Sequence, residues 1–341
     1  MNIDHTATPT KTAAMVAEHR SRPLVTILDG TSAASALAVL IALGGSFSEY
    51  WLQVATTFLI NIILVTSYRL ITTMGGWSFA HIAFAGIGAY TMALLATSHF
   101  AFSPWLGLAI GPLMAAAIAL CLSYPILRTR QYNFFLSTFA AAAAIQQSLI
   151  QFSTITGGSN GIAFLPRPGP ILGLSFESSL GFFWLVVIIT VAVVFGLYIL
   201  NRSRIGRTIE AISLNEQLSE SLGVFCWGYR ALAFVVGSSA AGLAGVLLAN
   251  FNSIVNPSDF GPAFMFKIVA AAIVGGTRTF FGPLLGLIFL TALEEIFRNS
   301  AQYIPLLWGG SIIAALLLTK GGFETLFIRA SGRMKRGGRN A

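Results

Sequence analysis

The residue types that usually do chemistry are sparse in this chain and do not assemble into a catalytic pattern. There are four histidines and two cysteines in 341 residues, with 12 aspartates and glutamates. No His-Glu-x-x-His pair offers a metal to one helix face, and no Gly-x-Ser-x-Gly elbow presents a nucleophile. No Gly-x-x-x-x-Gly-Lys-Ser/Thr loop cradles phosphates. The chain is therefore expected to be no enzyme, to hold no metal or cofactor, and to bind no ATP by itself. Cys121 and Cys226 stand alone, without the spacing of a zinc site or a disulfide framework. Glu294 and Glu295 are the carboxylates nearest an apolar interior, but they lie toward the end of an apolar run. An ion-coupled carrier keeps such groups deep in the membrane.

Three other groups of residues carry information. Leu214, Leu218 and Leu222 recur at spacing four through a polar stretch holding Asn215, Glu216 and Glu220 and closed by Gly223. That pattern predicts a helix running from Ile205 to Leu222, with an apolar stripe fit for a groove and a left-handed glycine stop. The stripe fits a lipid surface equally well. His81 opens a run holding Phe84, Gly86 and Gly88. It either contacts a transport path or makes a helix-start hydrogen bond. A lone histidine is a weak signal, so the hydrogen bond is preferred. Gly86, Gly88 and the small residues of 237–245 permit close helix approach. Gly275, Gly276, Gly282 and Pro283 break an apolar run.

The elements that must position these residues are membrane helices. The chain is 55% hydrophobic and 9% charged, with a mean hydropathy of +0.78. Ordinary soluble domains are about 25% charged. Between Thr31 and Leu200 the charges are Glu49, Arg69, Arg128, Arg130, Arg167 and Glu177 alone. Apolar runs predict spans at 24–45, 50–73, 80–98, 105–127, 132–152, 181–201, 229–250, 264–276, 283–297 and 304–319. The last pair before the final span is either two short crossings or a re-entrant hairpin. Arg69, inside a span, either snorkels to the cytosolic end or meets a polar path.

The fold class is thus an all-α polytopic bundle of about eight to ten membrane segments. A polar tail, 1–23, precedes the transmembrane domain, 24–320, and a basic tail, 321–341, follows it. The net charge of +8 in a soluble chain would indicate nucleic acid. Here it marks cytosolic links. Arg128, Arg130, Arg202, Arg204, Arg207 and the basic tail share one side by parity, as the positive-inside rule requires, and both termini are expected in the cytosol. Lys267 and Arg298 are exceptions near the far side. Two loops exceed a connector's length: 153–180 outside and 202–228 inside.

The run 75–90, Gly-Gly-Trp-Ser-Phe-Ala-His-Ile-Ala-Phe-Ala-Gly-Ile-Gly-Ala-Tyr, resembles the signature of branched-chain amino-acid ABC transporter permeases. So do Leu127-Arg128, the stretch Thr156-Gly157-Gly158-Ser159-Asn160-Gly161, and the ordered set Gly206-Arg207, Asn215-Glu216, Glu220, Leu222-Gly223-Val224, Ala233-Phe234, 241–245, Gly275-Gly276 and Gly282-Pro283. Together they cover roughly residues 55–300 and are similar to the second permease subtype of that system.

The resemblance implies half of a translocation pathway in a bacterial inner membrane. It implies a second permease subunit, two ATP-binding cassette ATPases and a periplasmic substrate-binding protein, with ATP bound by those partners. It places Asn215, Glu216, Leu218, Glu220, Leu222 and Gly223 in a helix that docks on the ATPase. The chain departs from the family at Glu210 and Ser213, where arginine is usual, at Leu218-Ser219, and at Lys267, where glutamate is common. It reads as a divergent member. Urea or short amides as substrate, or a stand-alone carrier or channel, are the alternatives.

Overall fold

The computed structural model describes residues 48–97, 102–129, 132–170 and 175–318. The expected span 24–45 and both tails lie outside them. Nine helices occupy the remaining nine predicted spans among the described residues: α1 Glu49–Thr73, α2 His81–Thr97, α3 Pro104–Leu127, α4 Tyr132–Gln151, then, beyond the single turn α5 Ser153–Thr156, α6 Ser179–Arg202, α9 Cys226–Asn252, α10 Pro262–Gly275, α11 Gly282–Ile296 and α12 Ile304–Leu318. Between α6 and α9 lie α7 Arg204–Leu214 and α8 Glu216–Ser221. The chain is an all-α membrane bundle.

Helices α1, α3, α6 and α9, and α10 together with the turn before it, are long and apolar enough to cross a membrane. Helix α4 reaches 20 residues but carries three glutamines, Gln146, Gln147 and Gln151. Element ends follow local chemistry. Pro104, Pro262 and Pro283 stand in the first turns of α3, α10 and α11, where a missing N–H costs nothing. Ser178 accepts from the Gly181 amide at the start of α6, 3.1 Å, satisfying an orphan donor.

The core is the seam of α9 against α3, α2 and α1. A β-carbon built on Gly88 would lie 2.0 Å from the Gly242 carbonyl oxygen, and one on Gly245 would lie 1.8 Å from that of Ala85. One on Gly111 would meet Val246 at 2.3 Å. Three backbones meet where side chains are absent. Lipid offers no hydrophobic drive for helices to associate, so close van der Waals approach supplies the attraction.

The pair α10 and α11 forms an antiparallel hairpin alongside α1. Arg69, near the end of α1, donates from Nε to the Thr279 carbonyl, 2.6 Å, in the turn between the two helices. Tyr50, at the start of α1, hydrogen-bonds Glu295 at the far end of α11. Helix α11 with the turn before it therefore lies antiparallel to the 25-residue α1. Its partner α10 packs along it, with Gly275 against the Gly282 carbonyl and Gly286 against that of Ala271. These are two short helices packed on one another through glycines.

The 153–180 loop has structure of its own in its described residues. After α5, Ile162–Ala163 pairs antiparallel with Ile254–Val255, tying it to the end of α9.

Candidate functional site: the segment between α6 and α9 and the glycine seams

The segment after α6 turns sharply. Only Ser203 separates α6 from α7, and its hydroxyl accepts from the Gly206 amide, 3.3 Å. A β-carbon on Gly206 would meet the Leu200 carbonyl at 2.4 Å, so glycine permits the turn. Helix α7 buries Gly206, Ile209 and Ile212 and leaves its other face in the open.

The expected single helix from Ile205 to Leu222 is broken, a correction to the sequence reading. Asn215 leaves helical geometry (φ −156°, ψ 98°), and its Oδ1 accepts from the Leu218 amide at 3.0 Å. An asparagine that caps a new helix ends the one before it. The spacing-four pattern does not register such a break, because a one-residue interruption leaves the leucines on neighbouring faces. Gly223 closes α8 in the left-handed region (φ +82°). The Gly223 amide donates to Glu220 O, 2.9 Å, and the Val224 amide to Ser219 O, 3.1 Å, the paired bonds of a Schellman stop.

Leu214, Leu218 and Leu222 are 83, 57 and 76% exposed, and Phe225 beside them is 68% exposed. Clustered apolar side chains on a polar segment mark an interaction surface. Glu220 is exposed among them. Glu216 pairs with Arg230 at 3.1 Å, and its carbonyl lies 3.8 Å from the Cys226 thiol. Both contacts fix α8 to the first turns of α9. Arg230 carried no local signal in the sequence; it lies fourteen residues on and comes into range only through the fold.

His81 is enclosed between α1 and α2. Its Nε2 lies 3.1 Å from the Leu64 carbonyl and 3.1 Å from the Ser67 hydroxyl. The carbonyl can only accept, so the proton sits on Nε2. Its ring packs on Tyr68, with centroids 5.4 Å apart. Phe84 is buried edge-on against Phe234. Gly86 receives Phe260, and Gly88 receives Gly242. Gly276 occupies the turn after α10 with φ +95°.

Arg69 neither snorkels nor faces an open path. Besides Thr279, its NH1 donates to Asn201 Oδ1, 3.0 Å, and its NH2 approaches the Arg278 carbonyl, 3.4 Å. The guanidinium lies 5.4 Å from the Phe280 ring centre. One buried arginine thus joins α1, the end of α6 and the α10–α11 turn, and places all three at the end of the bundle where α7 begins. Among the described residues no cluster of three or more potential ligands could hold a metal.

Residues 50–319 match the family described as the branched-chain amino acid transport system / permease component. The permease protein LivM of the Escherichia coli high-affinity branched-chain amino acid transport system is 28% identical over 288 residues, 78% of this chain and 68% of the relative. LivH of Salmonella typhimurium is 28% identical over 292 residues, 80% and 94%. The D-allose transport permease AlsC of E. coli is 27% identical over 311 residues, 83% and 89%. No solved structure matches the chain. The match over most of its length, on a bundle of apolar helices, makes this a multi-pass membrane protein that belongs to the branched-chain amino acid transport system permease family.

Proposed function

We propose that the chain forms half of the translocation pathway of an ABC importer in a bacterial inner membrane and carries branched-chain or related apolar amino acids. Its partners are a second permease subunit, two ATP-binding cassette subunits that hold the ATP, and a periplasmic binding protein that delivers substrate. The single observation that carries this reading is the exposed leucine cluster of α7 and α8, mounted on α9 by the Glu216–Arg230 pair. A movable partner seated on that cluster pushes on the base of a core helix. The names of LivM and LivH, two permeases of one kind of transport system, support the pairing and the substrate class.

In this reading the coupling segment faces the cytosol. Arg128, Arg202, Arg204 and Arg207 gather at its end of the bundle, where cytosolic links carry positive charge. The test is a pull-down of the tagged protein from detergent-solubilised membranes. A second permease and two P-loop ATPases are expected to co-purify, and deletion of 215–223 is expected to release the ATPases while the permeases stay paired. A monomer or homodimer without ATPase overturns the reading in favour of a stand-alone carrier.

A further inference from the structure

Between the loop after α1, the start of α4 and the inner half of α10 lies an open groove of about 460 Å³. Its walls include Gly75, Trp77, Phe79, Tyr132, Phe135 and Ile273. Phe79 is its hub, edge-on to Phe135 at 4.8 Å and to Phe266 at 5.4 Å between ring centres. The lining is almost wholly apolar, and the volume suits a small molecule.

Two observations separate this groove from an ordinary lipid-facing hollow. The first is the surface it opens onto. The exposed faces of α3, α6 and α12 carry large apolar side chains: Leu113, Ile188, Phe195, Leu306 and Leu317 are each more than 60% exposed. None of those exposed faces holds an asparagine or glutamine. The exposed residues of α4 include Tyr132, Leu136 and Phe139 at its start, but also Asn133 and, toward its other end, Gln147, Ser148 and Gln151. A glutamine facing hydrocarbon leaves an amide unsatisfied at a cost of several kcal/mol, so this face meets water or polar groups.

The second observation is mechanical. Gly75, in the left-handed region (φ +90°), packs on α7: a β-carbon there would lie 3.4 Å from Ser213 Cβ. One wall of the groove thus rests directly on the coupling segment.

We propose that this groove and the adjoining face of α4 form this chain's wall of the substrate route. In this assignment the groove receives the apolar side chain of the substrate at the end where the coupling segment can reshape it. The proposal rests on the transport reading above. The occupant is an aliphatic amino-acid side chain, on the evidence of an apolar floor at one end of a helix whose exposed side carries amides toward the other.

The test uses the assembled importer in proteoliposomes, with leucine and alanine as substrates. Ile273→Trp fills the groove and is expected to lower the leucine-to-alanine ratio of kcat/KM by about tenfold, the scale on which one methylene is discriminated. Ile273→Ala is expected to shift preference toward bulkier side chains. Complexes of both variants that keep basal ATPase activity and the wild-type ratio overturn the proposal and leave the groove to lipid.

Should either variant fail to assemble, Ile273→Cys and Gln147→Cys are labelled with a membrane-impermeant methanethiosulfonate, against Leu113→Cys and wild type. Labelling of the first two alone, slowed by leucine at Ile273→Cys, supports the route, and equal reactivity at all positions overturns it. If the wild-type complex imports no amino acid, the transport reading fails, while the contrast between Gln147→Cys and Leu113→Cys still reports whether α4 faces water.

Discussion

Lys267 Nζ lies 2.7 Å from Glu294 Oε2, and the other oxygen of that carboxylate accepts from Trp308 Nε1 at 2.9 Å. Three helices, α10, α11 and α12, meet in this one network. In the sequence Lys267 stands as an exception to the positive-inside rule; twenty-seven residues on, the fold supplies its counter-ion. Both side chains are largely buried, 12 and 21% exposed. Removing one partner from such a pair strands the other charge.

Lys267→Met is therefore expected to destabilise the protein by on the order of 3 kcal/mol. The double variant Lys267→Met with Glu294→Gln should regain most of that, because no charge is left unpaired. Thermal unfolding of the purified chain in detergent measures both. Equal losses in the single and double variants would show that packing, not charge, sets the effect.

Gly88 provides a second test. Any side chain there runs into the Gly242 carbonyl, and neither backbone can move aside within a packed seam. Gly88→Ala should cost about 1–3 kcal/mol, the usual penalty of overpacking. Gly196, on the exposed side of α6, has nothing within 4 Å of a built β-carbon, so Gly196→Ala should be neutral or gain up to about 1 kcal/mol from helix propensity. Parallel melts of the two variants decide whether the seam or glycine content in general governs stability.

These cases show what the sequence can carry. Span limits were legible because a helix in lipid must be apolar for its whole length and is punctuated by proline and glycine. Small-residue spacing at 237–245 foretold close packing, whereas His81, expected to make a helix-start hydrogen bond, bonds across to Leu64 and Ser67 of α1. Other features come from contacts between segments far apart in the chain. Arg69 meets Thr279 across 210 positions, and Glu216 finds Arg230 only after α8 folds back on α9. The break at Asn215 was hidden for a different reason: the capping residue and the helical residue are the same amino acid, and only backbone geometry separates them.

Arg69 is the third prediction. Its three donor groups reach two turn carbonyls and the Asn201 side chain at once. Lysine keeps the charge but offers one compact ammonium, which cannot span those acceptors. Arg69→Lys should lose about 1.5–3 kcal/mol, the range of one charge-assisted hydrogen bond or more. It should also make the 276–281 turn accessible to protease in solubilised protein. A variant that melts and resists cleavage like wild type would mean that Gly276 and the packing of Phe280 hold the turn unaided.

The last prediction separates the residues that shape α8 from those that would meet a partner. Asn215 and Gly223 shape it, whereas Leu218 and Leu222 point away from the rest of the chain. Asn215→Ala removes the cap of α8 and should cost about 1 kcal/mol of local stability, seen as faster amide exchange over 216–222. Leu222→Glu touches nothing buried in this chain, so its melting temperature and membrane insertion should match wild type. With the leucine cluster seated on the ATPase, as proposed, that same charge would have to be buried in an apolar groove. Co-purification of ATPase subunits and substrate-stimulated hydrolysis are therefore expected to fall at least tenfold, the loss that about 1.4 kcal/mol of docking energy produces. Retention of full coupling by Leu222→Glu would place the ATPase contact elsewhere and leave the leucine cluster as a lipid-resting face.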